Sequence, residues 1–358
     1  MLSYTIYSIK MNILFTLHSA ALLEMRLSSV MYSLYTPSTR LFPPSRKMNC
    51  FEYRQPFSKG THKMNIHVMI PSILLSQYQY YTVKGEKALH FLQGQLTCDL
   101  NTLENKRMLM GGYLNLKGRI VASVRIFFFN HSLILQIPTS ISDSVIPKLQ
   151  RMAKLSKVTF EPCPELITKG VMTANISNNI ISSVMATEND SVMIEKKDCV
   201  LMRVSKAGLY LAVGTQTAVE ALMPDTCEMS DKALWMLTAL KAHDIDIGLT
   251  LSDLLTPHDL DWIKRGYVSL TKGCYVGQEI VARMQYLGKT KYSLSVLMSK
   301  AYPKLAPRDN LFNEKEERLG TVLETVNQAN RQDSLVLLKT EAKQTVLYTA
   351  EKIRIEQG

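Results

Sequence analysis

Lys272-Gly-Cys-Tyr-Val-Gly-Gln-Glu-Ile-Val-Ala-Arg283 is the stretch that decides the reading of this chain. Gly273 and Gly277 predict a tight turn whose backbone can approach a partner closely. From Gln278 onward the apolar residues Ile280, Val281 and Met284 fall at helical spacing, so Cys274 lies just before a helix N-terminus. The positive end of that helix and the ammonium of Lys272 are the two features that favour a nucleophilic sulfur, and Glu279 suits the first helical turn. The plainer alternative is a glycine turn around a small buried cysteine, the commoner fate of a lone Cys.

Outward from this stretch, helix and strand signals alternate from about residue 73. Ser72–Val83 is β-prone, with Tyr78, Tyr80 and Tyr81. Gly85 and Glu86 then open a short helix with Ala88, Leu89 and Leu92 on one face, ending at Gly94. Ile120–Phe127 alternates as a strand whose wetter face carries Val121, Ser123 and Arg125. Leu133–Ile137 predicts another strand. Val145, Leu149 and Met152 predict a helix with Pro147 in its first turns, where proline is tolerated. Val200–Val204 and Tyr210–Val213, joined through Lys206-Ala-Gly208, predict a hairpin. Ser230 and Asp231 predict the cap of a helix bearing Leu234, Leu237 and Leu240. After residue 290 the alternation of Tyr292, Leu294, Val296 and Met298 is followed by closely spaced strand signals, which predicts a small barrel-like all-β module. The resulting division is a leader (1–63), a first α+β module (64–165), a second (166–230), a return segment with the Lys-Gly-Cys-Tyr stretch (231–290) and a C-terminal β-barrel (291–358).

Composition narrows the function classes. The chain has 358 residues, 46% hydrophobic and 20% charged, an ordinary globular balance. No apolar run reaches the roughly 18 residues a spanning helix needs, which argues against an integral membrane protein. Of the net charge of +11, the leader contributes +6, from eight Lys/Arg against Glu24 and Glu52. The remaining +5 over 64–358 gives little support for direct nucleic-acid binding. Cysteines 50, 98, 163, 199, 227 and 274 form no C-x-x-C pair, so zinc and redox-dithiol spacings are missing. A reducing compartment with mostly inert thiols and no stably bound metal is expected. The leader admits three readings: a poor secretory signal, a transit segment, or an over-extended start with Met64 as the true beginning, the last being favoured.

Lys272–Glu279 resembles the K-G-C-Y-x-G-Q-E signature of the YgfZ family, folate-binding relatives of the glycine-cleavage T-protein. Phe91-Leu-Gln-Gly-Gln-Leu-Thr-Cys-Asp99 is similar to the family's F-x-Q-G-Q-x-T-x-D block, Lys117-Gly-Arg-Ile120 to its K-G-[RK] turn, and Ser156-Lys-Val-Thr159 to its S-K-V-T. Ile247-Gly248 stands where an I-x-x-G-x-P element is expected, and Pro257 and Leu260 fit a looser pattern upstream of the Cys. Asp259 replaces a usual Asn and Thr250 a usual Pro. The T-protein carries an Asp pair where this chain has Ala122 and Ser123, neither of which can serve as an acid or base at neutral pH.

The resemblance implies an α+β, aminomethyltransferase-like folate-binding fold of three modules around a central opening. It implies a folate-binding accessory protein for assembly, insertion or repair of iron–sulfur clusters in client enzymes, affecting tRNA modification indirectly. The alternatives are a folate-dependent aminomethyl or one-carbon transferase and a direct tRNA-binding factor. Tetrahydrofolate or a derivative is the implied cofactor, with Cys274 as the working thiol and Lys272 its support. Tyr78, Trp235 and Asp246 are the implied pterin contacts, and Gln93, Asp99, Tyr275, Gln278, Glu279 and Arg283 further cofactor positions; Arg125, Lys272 and Arg283 are candidates for the glutamate tail. Iron–sulfur client or assembly proteins are the implied partners. The expected setting is bacterial cytoplasm, or mitochondrial matrix if 1–63 are a transit segment.

Overall fold

Strand-forming runs dominate the computed structural model, which describes residues 70–104, 107–172, 193–196, 198–205, 207–222, 226–229, 232–288, 291–300, 302–342 and 345–355. The leader, Lys206 of the hairpin signal and the cap residues Ser230 and Asp231 lie outside them. In chain order come β1 (Ile70–Leu74), β2 (Tyr78–Lys84), α1 (Ala88–Gln93), β3 (Met108–Leu114), β4 (Ile120–Phe129), β5 (Ser132–Pro138), α2 (Thr139–Ala153), β6 (Thr159–Pro162) and β7 (Ile167–Met172). Then follow β8 (Met193–Lys196), β9 (Cys199–Ser205), β10 (Leu209–Gly214), α3 (Gln216–Leu222), β11 (Thr226–Glu228), α4 (Ala233–Lys241) and α5 (Gln278–Leu287). The chain closes with β12 (Tyr292–Lys300), β13 (Asn310–Phe312), β14 (Arg318–Asn327) and β15 (Arg331–Lys339).

These strands form three sheets, ordered β11-β1-β7-β10-β9-β8, β3-β4-β5-β2-β6 and β12-β15-β14-β13. The class is α+β. The C-terminal sheet is antiparallel throughout. Among the described residues it does not close into the expected barrel, since β12 and β13 remain its two edges. A bridge from Phe312 to Tyr348 extends the β13 side.

Strand β4 of the five-stranded sheet is buried on both faces. Ala122, Val124 and Ile126 of β4 pack with Leu92 of α1 and Leu149 of α2. The opposite face, expected to be wet, is buried too: Ser123 is 1% and Arg125 5% exposed. Helix α2 begins at Thr139, six residues before the predicted start, so Pro147 lies inside it. Ile141, Val145, Ile146, Leu149 and Ala153 give it a buried face, and that packing outweighs the roughly 3 kcal/mol an interior proline costs. On α4 the buried residues are Trp235 and Leu240, while Leu234 is exposed. A second core joins all three sheets, with Ile73, Leu211, Trp235, Trp262, Leu323 and Leu335 among its members.

Candidate functional site

The buried polar face of β4 is the floor of a cleft. Segment 244–248 runs beside β4, where Ser123 N–H donates to the Ile247 carbonyl at 3.1 Å and Ile247 N–H donates to Ser123 Oγ at 2.9 Å. This double tie fixes Asp246. Its Oδ1 pairs with Arg125 Nη1 at 2.9 Å and accepts from Ser123 Oγ at 3.3 Å, and its Oδ2 accepts from the Tyr78 hydroxyl at 2.6 Å. The Arg125 guanidinium lies 5.5 Å from the Tyr78 ring centre and donates to Gln136 Oε1 at 3.2 Å. Gln136 Nε2 donates to Tyr80 Oη at 2.6 Å, and Tyr80 bonds Thr168 of β7, so the network crosses from one sheet to the next.

Charge complementarity holds this floor together. Burial works against a charged Arg125, but the Asp246 carboxylate beside it raises its pKa above the ordinary guanidinium value. Burial, reinforced by Asp246, raises the Tyr78 phenol well above its usual range, so Tyr78 stays a donor. The cleft has a volume of about 670 Å³ and is lined by Tyr78, Arg125, Trp235, Asp246, Leu249 and Glu324, among others. That lies within the range of small-ligand sites, roughly 300–1,000 Å³.

The Lys-Gly-Cys-Tyr stretch builds a different structure. Lys272 is 9% exposed, and its Nζ donates to the carbonyls of Gln93 (2.6 Å), Leu96 (2.6 Å) and Cys98 (2.7 Å). It also stands 5.0 Å from the centre of the Tyr275 ring. Burial pulls its pKa down to about 8, with the Cys98 thiol and the Asp99 carboxylate acting in the opposite direction. Three carbonyls need three N–H donors, which only the ammonium form supplies. Lys272 therefore clamps the 91–99 block to the motif; its hydrogen bonds are spent there and not on Cys274.

The other expected residues divide accordingly. Gln93 donates to Asp99 at 2.8 Å and accepts from Leu100 N–H, and Asp99 caps the 3-10 turn Leu100–Thr102. Tyr275 is buried, its phenol pushed up to about 12 by desolvation, and Gln278 Nε2 donates to the Lys272 carbonyl at 3.4 Å. None of these lines the cleft, nor do Glu279 and Arg283, both exposed. Arg125, a tail candidate, is instead buried in the floor. Cys274 is an exposed, free thiol outside the cleft lining. Gly277, at φ +81°, permits the close approach expected of the motif: a Cβ there would come within 2.6 Å of the Asn115 carbonyl and 3.2 Å of Gly118 Cα. Gly273 meets no such neighbour. Two expected motifs thus meet backbone to backbone, while Tyr78, Trp235 and Asp246 meet at the cleft. Asp259 keeps a structural task, accepting from Thr256 N–H and Oγ1 at 2.8 Å each.

No family model matches the chain. It is 27% identical over 250 residues to the tRNA-modifying protein YgfZ of Vibrio atlanticus, covering 69% of this chain and 75% of the relative. To the protein of the same name from Yersinia pseudotuberculosis it is 24% identical over 282 residues, covering 76% and 86%. The chain is a relative of the YgfZ proteins. This YgfZ relative also matches the crystal structure of the glycine cleavage system aminomethyltransferase T from Bartonella henselae, with TM-score 0.61 and 13% identity over 81% of this chain and 85% of that one. The fold is therefore that of the aminomethyltransferase. Among the described residues no helix is long and apolar enough to cross a membrane, and no three His, Cys, Asp or Glu are grouped to hold a metal ion.

Proposed function

We propose that this chain is a folate-binding accessory protein that helps assemble, insert or repair iron–sulfur clusters in client enzymes, and through them affects tRNA modification. The observation that carries the reading is the cleft, with an indole and a phenol in its lining and the Asp246 carboxylate held at its floor. A pterin ring calls for such aromatic surface and for a carboxylate facing its N–H edge. Asp246 has two oxygens with about four acceptor positions between them, and Arg125, Tyr78 and Ser123 fill three. Tyr78 and Trp235 would flank the ring. The name of the YgfZ relatives and the fold of the aminomethyltransferase agree with this reading.

Cys274 takes the second role. Its exposure, apart from the cleft lining, supports a meeting with a partner protein, in which it accepts a disulfide or serves as a transient ligand to a client's cluster. The setting is a reducing one, bacterial cytoplasm or mitochondrial matrix. The one-carbon transferase reading draws on Asp246, whose carboxylate stands beside Ser123. That carboxylate is already committed to Arg125, Tyr78 and Ser123, which favours the accessory role. The test is complementation: in cells lacking the protein, wild type restores cluster-enzyme activity and Cys274→Ser does not. Full rescue by Cys274→Ser overturns the thiol's role, and conversion of an aminomethyl donor by purified protein with tetrahydrofolate overturns the accessory reading.

A further inference from the structure

One carboxylate in the cleft has no part in the network described above. In β14, Val322 pairs with Val336 and Glu324 with Leu335, so Leu323 is an extra residue between them. Val322 packs into the apolar core of the C-terminal sheet with Leu311 and Leu347. Strict alternation would send Glu324 into that same core. The bulge changes the phase: Leu323 and Val326 join the core that contains Trp235, and Glu324 lines the cleft beside Leu323 and Pro307. A backbone irregularity thus delivers a charge to a ligand-sized space.

That charge is poorly compensated. Glu324 accepts one hydrogen bond among the described residues, from Thr325 N–H at 2.9 Å, and forms no ion pair among them. Burial raises its pKa above the ordinary carboxylate value. The other acids of the cleft are paired, Asp246 with Arg125 at 2.9 Å and Asp244 with Arg265 at 3.5 Å. A desolvated carboxylate with unspent lone pairs costs stability, and a ligand bearing N–H donors compensates it.

We infer that Glu324 is a specificity-determining contact of the cleft, an acceptor-only group that favours a reduced pterin, whose ring presents N–H donors, over an oxidised pterin, whose corresponding nitrogens present lone pairs. The inference rests on the folate reading and adds to it the residue that discriminates the reduced ring from the oxidised one. Its test compares binding of tetrahydrofolate, kept reduced, with that of folic acid by equilibrium dialysis, in wild type, Glu324→Gln and Glu324→Ala. Wild type should prefer tetrahydrofolate, and both variants should compress that preference by roughly tenfold or more, because a polar pocket left unpaired rejects the wrong ligand strongly. Glu324→Gln is isosteric, and its amide can turn either a donor or an acceptor toward the ring. An unchanged preference in both variants, or equal binding of the two ligands by wild type, overturns the inference and leaves the folate reading in place. Binding of neither ligand by wild type removes both.

Discussion

Two buried cations, Arg125 and Lys272, show what separates the floor of a cleft from a structural clamp in this molecule. Arg125 is held by a carboxylate at 2.9 Å on the floor of a cleft, and the carboxylate that holds it keeps an acceptor position to spare. Lys272 is held by three backbone carbonyls within 2.7 Å, each N–H spent, with its ammonium against the 91–99 block and 5.0 Å from the centre of the Tyr275 ring. Both are desolvated, and burial alone does not distinguish them. Unspent hydrogen-bonding capacity facing open space does. By that criterion the signature motif is a scaffold beside an exposed Cys274, while the cleft is lined from β2, β4, α4 and segment 244–248.

The comparison is most easily broken at Lys272. Lys272→Met leaves three carbonyls without their donor, and urea denaturation should show a loss of about 3–5 kcal/mol, the scale of removing one partner from a buried charged network. A stability change below about 1 kcal/mol would mean that the clamp is not structural. Next in size is Asp246→Asn, which keeps the shape of the floor but removes the charge; tetrahydrofolate affinity should fall by roughly 1.5–3 kcal/mol, the worth of hydrogen bonds to a charged group. Cys274→Ser sharpens the contrast from the other side. An exposed thiol outside the cleft should change neither stability, within about 0.5 kcal/mol, nor folate affinity, while complementation fails.

The smallest effect concerns Glu324. Its pKa is raised in the folded state, so the fold binds that proton more tightly than the unfolded chain does. Stability is then lost as pH rises from the ordinary carboxylate value through the raised one. Glu324→Gln should therefore raise the midpoint of thermal unfolding at neutral pH, without ligand, by a few degrees or less, and the gain should vanish in acid. A lower midpoint at neutral pH would show that the carboxylate serves the fold.

What was legible in the sequence follows from which interactions are local. The α1 helix, the β9–β10 hairpin through Gly208 and the strand from Tyr292 are short-range patterns, and the fold forms each. Their faces differ from the expected ones, however: α1 buries Phe91 and exposes the expected Leu89, and β12 buries Leu297 and exposes the expected Met298. The polar face of β4 was legible as alternation but misread as wet, because Asp246, which balances Arg125, lies more than a hundred residues away. Pro147 marked a helix start only while the packing of Ile141 was unknown. Tyr78, Trp235 and Asp246 were nameable by resemblance, and the cleft gathers them; Gln93, Asp99 and Tyr275 were equally nameable, but they meet at Lys272 instead. Glu324 carried no signal at all, since a one-residue bulge changes the face of a side chain without changing the pattern of residue types.

The division between recognition and presentation is tested most directly by titrating tetrahydrofolate, kept reduced, into wild type, Asp246→Asn and Cys274→Ser while following tryptophan fluorescence, since Trp235 lines the cleft. Saturable quenching of equal midpoint in wild type and Cys274→Ser, with the midpoint in Asp246→Asn moved at least about tenfold higher, is the expected result. Equal binding by wild type and Asp246→Asn, or loss of binding in Cys274→Ser, would contradict it.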